Sequence, residues 1–241
     1  MEGHRATLQK TLSYVAADKK AACKRYRYDA RLSSKALTPC TSFRVENRDA
    51  IEVALEMDAD PLVMILADAH EPGGCIFGGG NMQEESLFLR TALFAHLKKG
   101  EHYPIAPDEA LYARDVTVYF DTAARGYSPM DPDTRLSFVA CPGIKLPSTD
   151  ANDRLSPEDA AVLALKVRLI VQVAVEEGHT HLVAGALGCG VWGCPPTHVA
   201  EIFRDVLVDS PLEHVTFAIL GALRHRFERV FLCAASPDVA A

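Results

Sequence analysis

Pro72-Gly-Gly-Cys-Ile-Phe-Gly-Gly-Gly-Asn-Met-Gln-Glu-Glu85 is the stretch on which the reading of this sequence turns. It sets five of the fifteen glycines within eight residues, then two adjacent carboxylates at the start of a helical pattern. Before it lies Leu62-Val-Met-Ile-Leu66, an apolar run typical of a strand buried on both faces of a mostly parallel sheet. A loop between such a strand and a helix is where open α/β sheets bind ligands. Glycines let a backbone approach a ligand with its N–H groups turned inward, and a helix N-terminus adds free donors and a positive dipole end. Both features suit a diphosphate. Carboxylates beside such a cradle are electrostatically awkward, which points to work on the ligand.

Two other readings of this stretch compete. The phosphate-loop pattern Gly-x4-Gly-Lys-Ser/Thr fails, because Gly79 stands where lysine would follow Gly78. The carboxylates also have a purely local alternative: Asn81 as N-cap, Glu84 as its reciprocal capping acid and Glu85 complementing the helix dipole.

Working outward, a second glycine cluster, Gly185-Ala-Leu-Gly-Cys-Gly-Val-Trp-Gly193, follows another apolar run. Gly188, Gly190 and Gly193 satisfy Gly-x-Gly-x-x-Gly, but Pro195 and Pro196 follow where the dinucleotide fingerprint would already be helical. A second phosphate-facing loop, with Pro196 opening the next helix, fits better. Trp192, the only tryptophan, either packs in the core or lies against a sugar ring. Cys189, Cys194 and His198 lie close in sequence but lack a fourth ligand at zinc spacing. His70 is a candidate general base or a turn histidine.

Strands are expected at Pro61–Ala67, Val116–Asp121, Ser137–Cys141, His181–Leu187 and His214–Leu220, with weaker ones at Lys24–Leu32 and from Ser42 to Val45. Helices are expected at Arg5–Ala17, Asp49–Met57, Gln83–Lys98, Pro157–Glu177 and Thr197–Val208, with Ser156 as N-cap and Pro157 at the first helical position. Pro39 breaks the chain. Alternating strands and helices give an α/β fold, a three-layer α/β/α sandwich. Residues 1–38 are expected as an N-terminal helical extension packed on a domain formed by 39–241.

A net charge of −7 argues against a general nucleic-acid binder, and the basic residues between Lys19 and Lys35 read as a solvated face. Seven scattered cysteines without Cys-x-x-Cys spacing imply a reducing compartment, cytoplasmic or nuclear. No run reaches transmembrane length, and the N-terminus lacks a signal-peptide core.

The two loops resemble those of the microbial-type poly(ADP-ribose) glycohydrolases, a branch of the macrodomain superfamily. Gly73-Gly74-Cys75 stands for that family's glycine turn and Gln83-Glu84-Glu85 for its acidic end. Gly185, Gly188, Cys189, Gly190, Trp192 and Gly193 match its second loop, and looser similarity covers nearly the whole chain. The resemblance implies a macrodomain-like mixed sheet and hydrolysis of ribose–ribose bonds in poly(ADP-ribose), with release of ADP-ribose. Glu85 would protonate the departing ribose oxygen and then activate water, Glu84 would hold ribose hydroxyls and Gln83 would orient the site. Asp68, Gly73, Gly74, Cys75, Gly78, Gly79 and Gly80, with Gly188, Cys189, Gly190, Val191 and Trp192, would bind the substrate. No metal or organic cofactor and no membrane partner is implied, and a monomer is expected. A non-catalytic ADP-ribose reader, or a hydrolase of single ADP-ribose units on protein or nucleic acid, would share the same loops.

Adjacent helical residues point about 100° apart, so Glu84 and Glu85 cannot flank a glycosidic bond as paired carboxylates do. One carboxylate has to serve as both acid and base. Three positions depart from the family pattern. Cys75 replaces a glycine and is expected to strain a turn needing positive φ, Asp68 stands for asparagine, and Trp192 replaces phenylalanine.

Overall fold

The computed structural model describes residues 2–16, 21–31 and 42–232. Expectations for Ala17, Lys19, Lys20, Leu32, Lys35 and Pro39 lie outside the described residues. In chain order the elements are α1 (Glu2–Val15), β1 (Lys24–Arg27), β2 (Ser42–Glu46), α2 (Ala50–Leu55), β3 (Leu62–Ala67), α3 (Gln83–Arg90) and α4 (Leu93–His96). Then follow β4 (Glu109–Thr117), β5 (Arg135–Pro142), α5 (Pro157–Glu177), β6 (His181–Ala184), α6 (Pro196–Leu207), β7 (His214–Ala218) and α7 (Arg224–Phe231).

The strands form one sheet in the order β1-β4-β5-β3-β6-β7-β2. β1 and β4 pair antiparallel at one end, as do β4 and β5, and the remaining neighbours are parallel. Alternation along β3 divides the core: Leu62 and Met64 pack toward α5, α6 and α7, while Val63 and Ile65 pack toward α1, α2, α3 and α4. The expected three-layer sandwich is what forms, and β1 brings part of the 1–38 segment into the sheet. The cations on β1 are engaged in ion pairs: Lys24 with Glu177, and Arg25 and Arg27 both with Glu109. Among the described residues no helix is long and apolar enough to cross a membrane.

Helix α5 has the expected bounds, and the Ser156 hydroxyl accepts the Asp159 N–H. Other expectations need correction. The strand sought at Val116–Asp121 begins earlier, at Glu109, because Arg114 and Asp115 are exposed in a bulge that interrupts the apolar run. The helix expected at Gln83–Lys98 divides at Thr91, which is extended and bridges Val118. There Ala92 N–H donates to Thr117 O and Tyr119 N–H to Arg90 O. The strands at His181 and His214 stop at Ala184 and Ala218, short of the expected ends. Helix α7 was not expected; its Phe227, Val230 and Phe231 are buried among charged neighbours.

Candidate functional site

A cavity of ≈ 510 Å³ lies at the carboxyl ends of β3, β6 and β7. Its wall takes Asp68 from the end of β3, Gly74 and Cys75 from the first loop, and Asn81 to Ser86 at the start of α3. Gly188, Gly190, Val191 and Trp192 come from the second loop. The splaying of the sheet makes the room. β3 stays paired with β5 through Ala67, but its pairing with β6 ends at Val63. Beyond that point the Gln83 side chain takes over: its Nε2 donates to Met64 O (2.6 Å) and its Oε1 accepts Leu66 N–H (3.0 Å). One amide thus gives β3 the pair of bonds a residue of a parallel neighbour would give, and it locks the start of α3 to the strand.

From that anchor the next two side chains diverge around the first loop. Glu84 accepts Asp68 N–H at 2.8 Å through one oxygen and Gly73 N–H at 3.2 Å through the other. Burial pushes its carboxyl up to about 8, with Glu85 and Asp68 adding to the rise against the pull of those two N–H groups. Glu85 accepts Cys75 N–H at 2.9 Å through Oε1, while Oε2 is buried with no partner among the described residues. Gly74 (φ +53°) lies between the two acids, and a Cβ there would sit 2.7 Å from Glu85 Oε1 and 3.1 Å from Glu84 Oε2. The local capping alternative fails. Met82, not Asn81, precedes the helix, no side chain caps it, and Glu84 reaches back past Asn81 to the N–H groups of Gly73 and Asp68.

The first loop does not offer the donors expected of it. The N–H groups of Gly73, Gly74, Cys75, Gly78, Gly79 and Gly80 all donate within the protein, and Gly73, Gly78, Gly79 and Gly80 do not line the cavity. The strain expected at Cys75 is also absent. Its φ is −94°, and the positive values fall on Gly73 and Gly74 instead. The Asp68 carboxylate lines the cavity and accepts His70 and Glu71 N–H, shaping the turn. His70 is exposed and outside the wall.

The second loop is built the other way. Gly190, Val191 and Trp192 have N–H groups with no acceptor among the described residues, three in succession. Consecutive free N–H groups make an anion-binding concavity. Gly188 adopts φ +75°, and a Cβ there would meet Cys194 Sγ at 2.6 Å, so only glycine fits. Trp192 is half-buried and lines the cavity, so the reading of it as a core residue does not hold. Cys189 is outside the wall and packs against the core, and burial pushes its thiol up. Cys194 donates to Ile144 O, and His198 accepts Leu155 N–H. No cluster of metal-holding geometry occurs among the described residues.

Sequence reasoning missed the far wall: Arg48, Asp49 and Ala50 at the start of α2, then Ala186, Ala218, Ile219, Leu220 and Leu223. The available signal was the β2-to-α2 turn, a third strand-to-helix junction like the two that carry the loops. Asp49 caps α2 and pairs with the buried Arg90 of α3, tying the two helices together. The Tyr103 hydroxyl is buried without a partner among the described residues, within range of the Glu84 and Asp68 charges. A separate cavity of ≈ 290 Å³, lined by Arg44, His181 and His214 among others, shares only Arg48 with this one.

Residues 2–130 match the family described as microbial-type PARG, catalytic domain. Among solved structures, poly(ADP-ribose) glycohydrolase from Thermomonospora curvata is 24% identical with a TM-score of 0.79, covering 96% of this chain and 100% of that one. The Deinococcus radiodurans enzyme in complex with ADP-ribose is 24% identical with a TM-score of 0.76, covering 92% and 98%. At that identity the likeness establishes a common fold. No curated protein matches the chain.

Proposed function

This chain belongs to the microbial-type PARG family, whose catalytic domain it carries, and from that premise we propose that Glu85 is the acid/base with which it hydrolyses the ribose–ribose bonds of poly(ADP-ribose). The observation that carries the proposal is the carboxyl of Glu85, a residue of the cavity wall: one oxygen is fixed by the Cys75 N–H, while the other is buried with no partner among the described residues.

In the reaction, protonated Glu85 gives its proton to the departing ribose oxygen as the glycosidic C–O bond breaks. The sugar left behind develops positive charge, which the nearby diphosphate and the carboxylates stabilise. Water then adds to that carbon and returns its proton to Glu85, releasing ADP-ribose. A single group doing both steps is consistent with Glu84, whose oxygens are both committed to backbone N–H groups.

The charge of the wall indicates how the diphosphate is held. Among the described residues of the wall Arg48 is the one cation, against the acids Asp49, Asp68 and Glu85, with Glu84 raised toward neutrality. The free N–H groups of Gly190, Val191 and Trp192 therefore receive the diphosphate, and the first loop positions the acid. Glu85→Gln keeps the shape and removes the transferable proton, so it should bind ADP-ribose normally and release it from the polymer on the order of 10²–10⁴-fold more slowly or worse. Normal turnover by that variant would overturn the assignment.

A further inference from the structure

The second glycine loop is supported from behind by residues outside the wall of the site cavity. Gly143, just after β5, is closely packed against the loop: a Cβ would lie 3.1 Å from Gly188 Cα and 3.1 Å from Trp192 Cε3. Leu146 N–H donates to Trp192 O at 2.9 Å, and Cys194 Sγ donates to Ile144 O at 3.3 Å. The β5–α5 connection is thus the backing plate of the loop. Its other end closes on itself, with Thr149 bridging Leu155 and Ser156 N–H donating to Ser148 O. That closed end is fastened to α6 at two points, the exposed Arg154–Glu201 ion pair and the buried His198, whose Nδ1 lies 2.9 Å from Leu155 N.

We propose that His198 is a positioning residue: by accepting the Leu155 N–H on an unprotonated Nδ1, it holds the β5–α5 connection against the second loop and so keeps Trp192 and the free N–H groups in place. The inference rests on the reading of that loop as the substrate's anion cradle. Only a ring nitrogen without a proton can accept, so the fastening exists in the neutral imidazole and is lost in the imidazolium. Burial holds the His198 imidazole below its ordinary value, and Arg154 adds to the effect. Glu201 and Asp205 of α6 and Asp150 of the connection pull the other way. Arg154 is itself paired with Glu201 at 2.7 Å. The neutral ring gives the fold stability that is complete above the ordinary histidine range and is lost as the pH falls through the lowered value.

The test begins with ligand-free protein, using acrylamide quenching of Trp192, the only tryptophan. Quenching in the parent protein should rise between about pH 7.5 and about pH 5, across the histidine range. His198→Asn retains an acceptor that does not titrate and should quench little at both values. His198→Leu retains bulk without an acceptor and should quench strongly at both. In hydrolysis assays KM of the leucine variant should rise about three- to tenfold, the worth of one hydrogen bond, with kcat nearly unchanged. Parent-like quenching and KM in the leucine variant would overturn the proposal, as would parent-like pH dependence in the asparagine variant. If the leucine variant does not fold, the asparagine comparison decides alone. Absence of hydrolysis in the parent protein would count against the proposed function, while the quenching series would still judge His198.

Discussion

The two glycine loops solve opposite problems with the same residue type. The loop at 72–82 spends the N–H groups of all five of its glycines and of Cys75 inside the protein, including on the carboxylates of Glu84 and Glu85. The loop at 185–193 keeps three consecutive N–H groups free and is secured through Gly188, the Trp192 carbonyl and Cys194. In the first loop glycine lets a side chain come close to the backbone; in the second it leaves the backbone open to a ligand. The lesson is that glycine content marks close approach, and hydrogen-bond accounting is needed to say what approaches.

If that division holds, substitutions in the first loop's partners should strike chemistry or stability, and those in the second loop should strike binding. The largest expected effect is that of Glu85→Gln, a loss of turnover on the order of 10²–10⁴-fold or more, as for removal of a general acid/base. Its ADP-ribose affinity, measured by calorimetry, should be unchanged. A parallel loss of affinity would break the comparison, because the first loop would then be a binding loop as well.

Gln83→Leu comes next. It strands Met64 O and Leu66 N–H at the fork of the sheet, and each buried group left unpaired costs roughly 1–3 kcal/mol. Urea unfolding should show the loss. An unchanged midpoint would mean that the fork closes without the amide.

Glu84→Gln sharpens the picture through pH. The Glu84 carboxyl is raised from the usual 4.5 to about 8, so between those values the folded protein retains a proton that the unfolded chain has released. Its contribution to stability is therefore complete below about pH 4.5 and is lost as pH rises toward about 8. Melting temperatures of the parent protein should carry that downward slope, and the glutamine variant should lack it. Equal slopes would show that the two N–H donors outweigh burial.

The smallest effect belongs to the second loop. Trp192→Phe should leave ADP-ribose binding within about twofold, and Trp192→Ala should weaken it about three- to tenfold through loss of a stacking surface. A collapsed melting curve for the alanine variant, with no change in affinity, would return Trp192 to the core.

Much of this was readable in the chain. The Leu62–Leu66 run, the Ser156-Pro157 helix start and the alternation of strands with helices specified three layers, since periodicity and capping are local properties. The Gln-Glu-Glu end and the second loop marked the site. The errors share a cause. Ala186, Ile219 and Leu220 read as the ends of strands because apolar residues look alike in sequence, yet they form the cavity wall. Thr91 read as helix because its bridge to Val118 comes from a distant segment.

The sequence by itself determined the layers, the alternation of strands with helices and which residue types gather at the carboxyl ends of the strands. Only the tertiary structure decided that the N–H groups of the first loop's glycines are already spent, that Cys75 sits at negative φ, and that one Glu85 oxygen has no partner among the described residues. The physical reason is that propensity and hydrophobic period act over a few neighbouring residues. A hydrogen bond from residue 66 to residue 83, or from 155 to 198, exists only once the packed sheet brings those residues together.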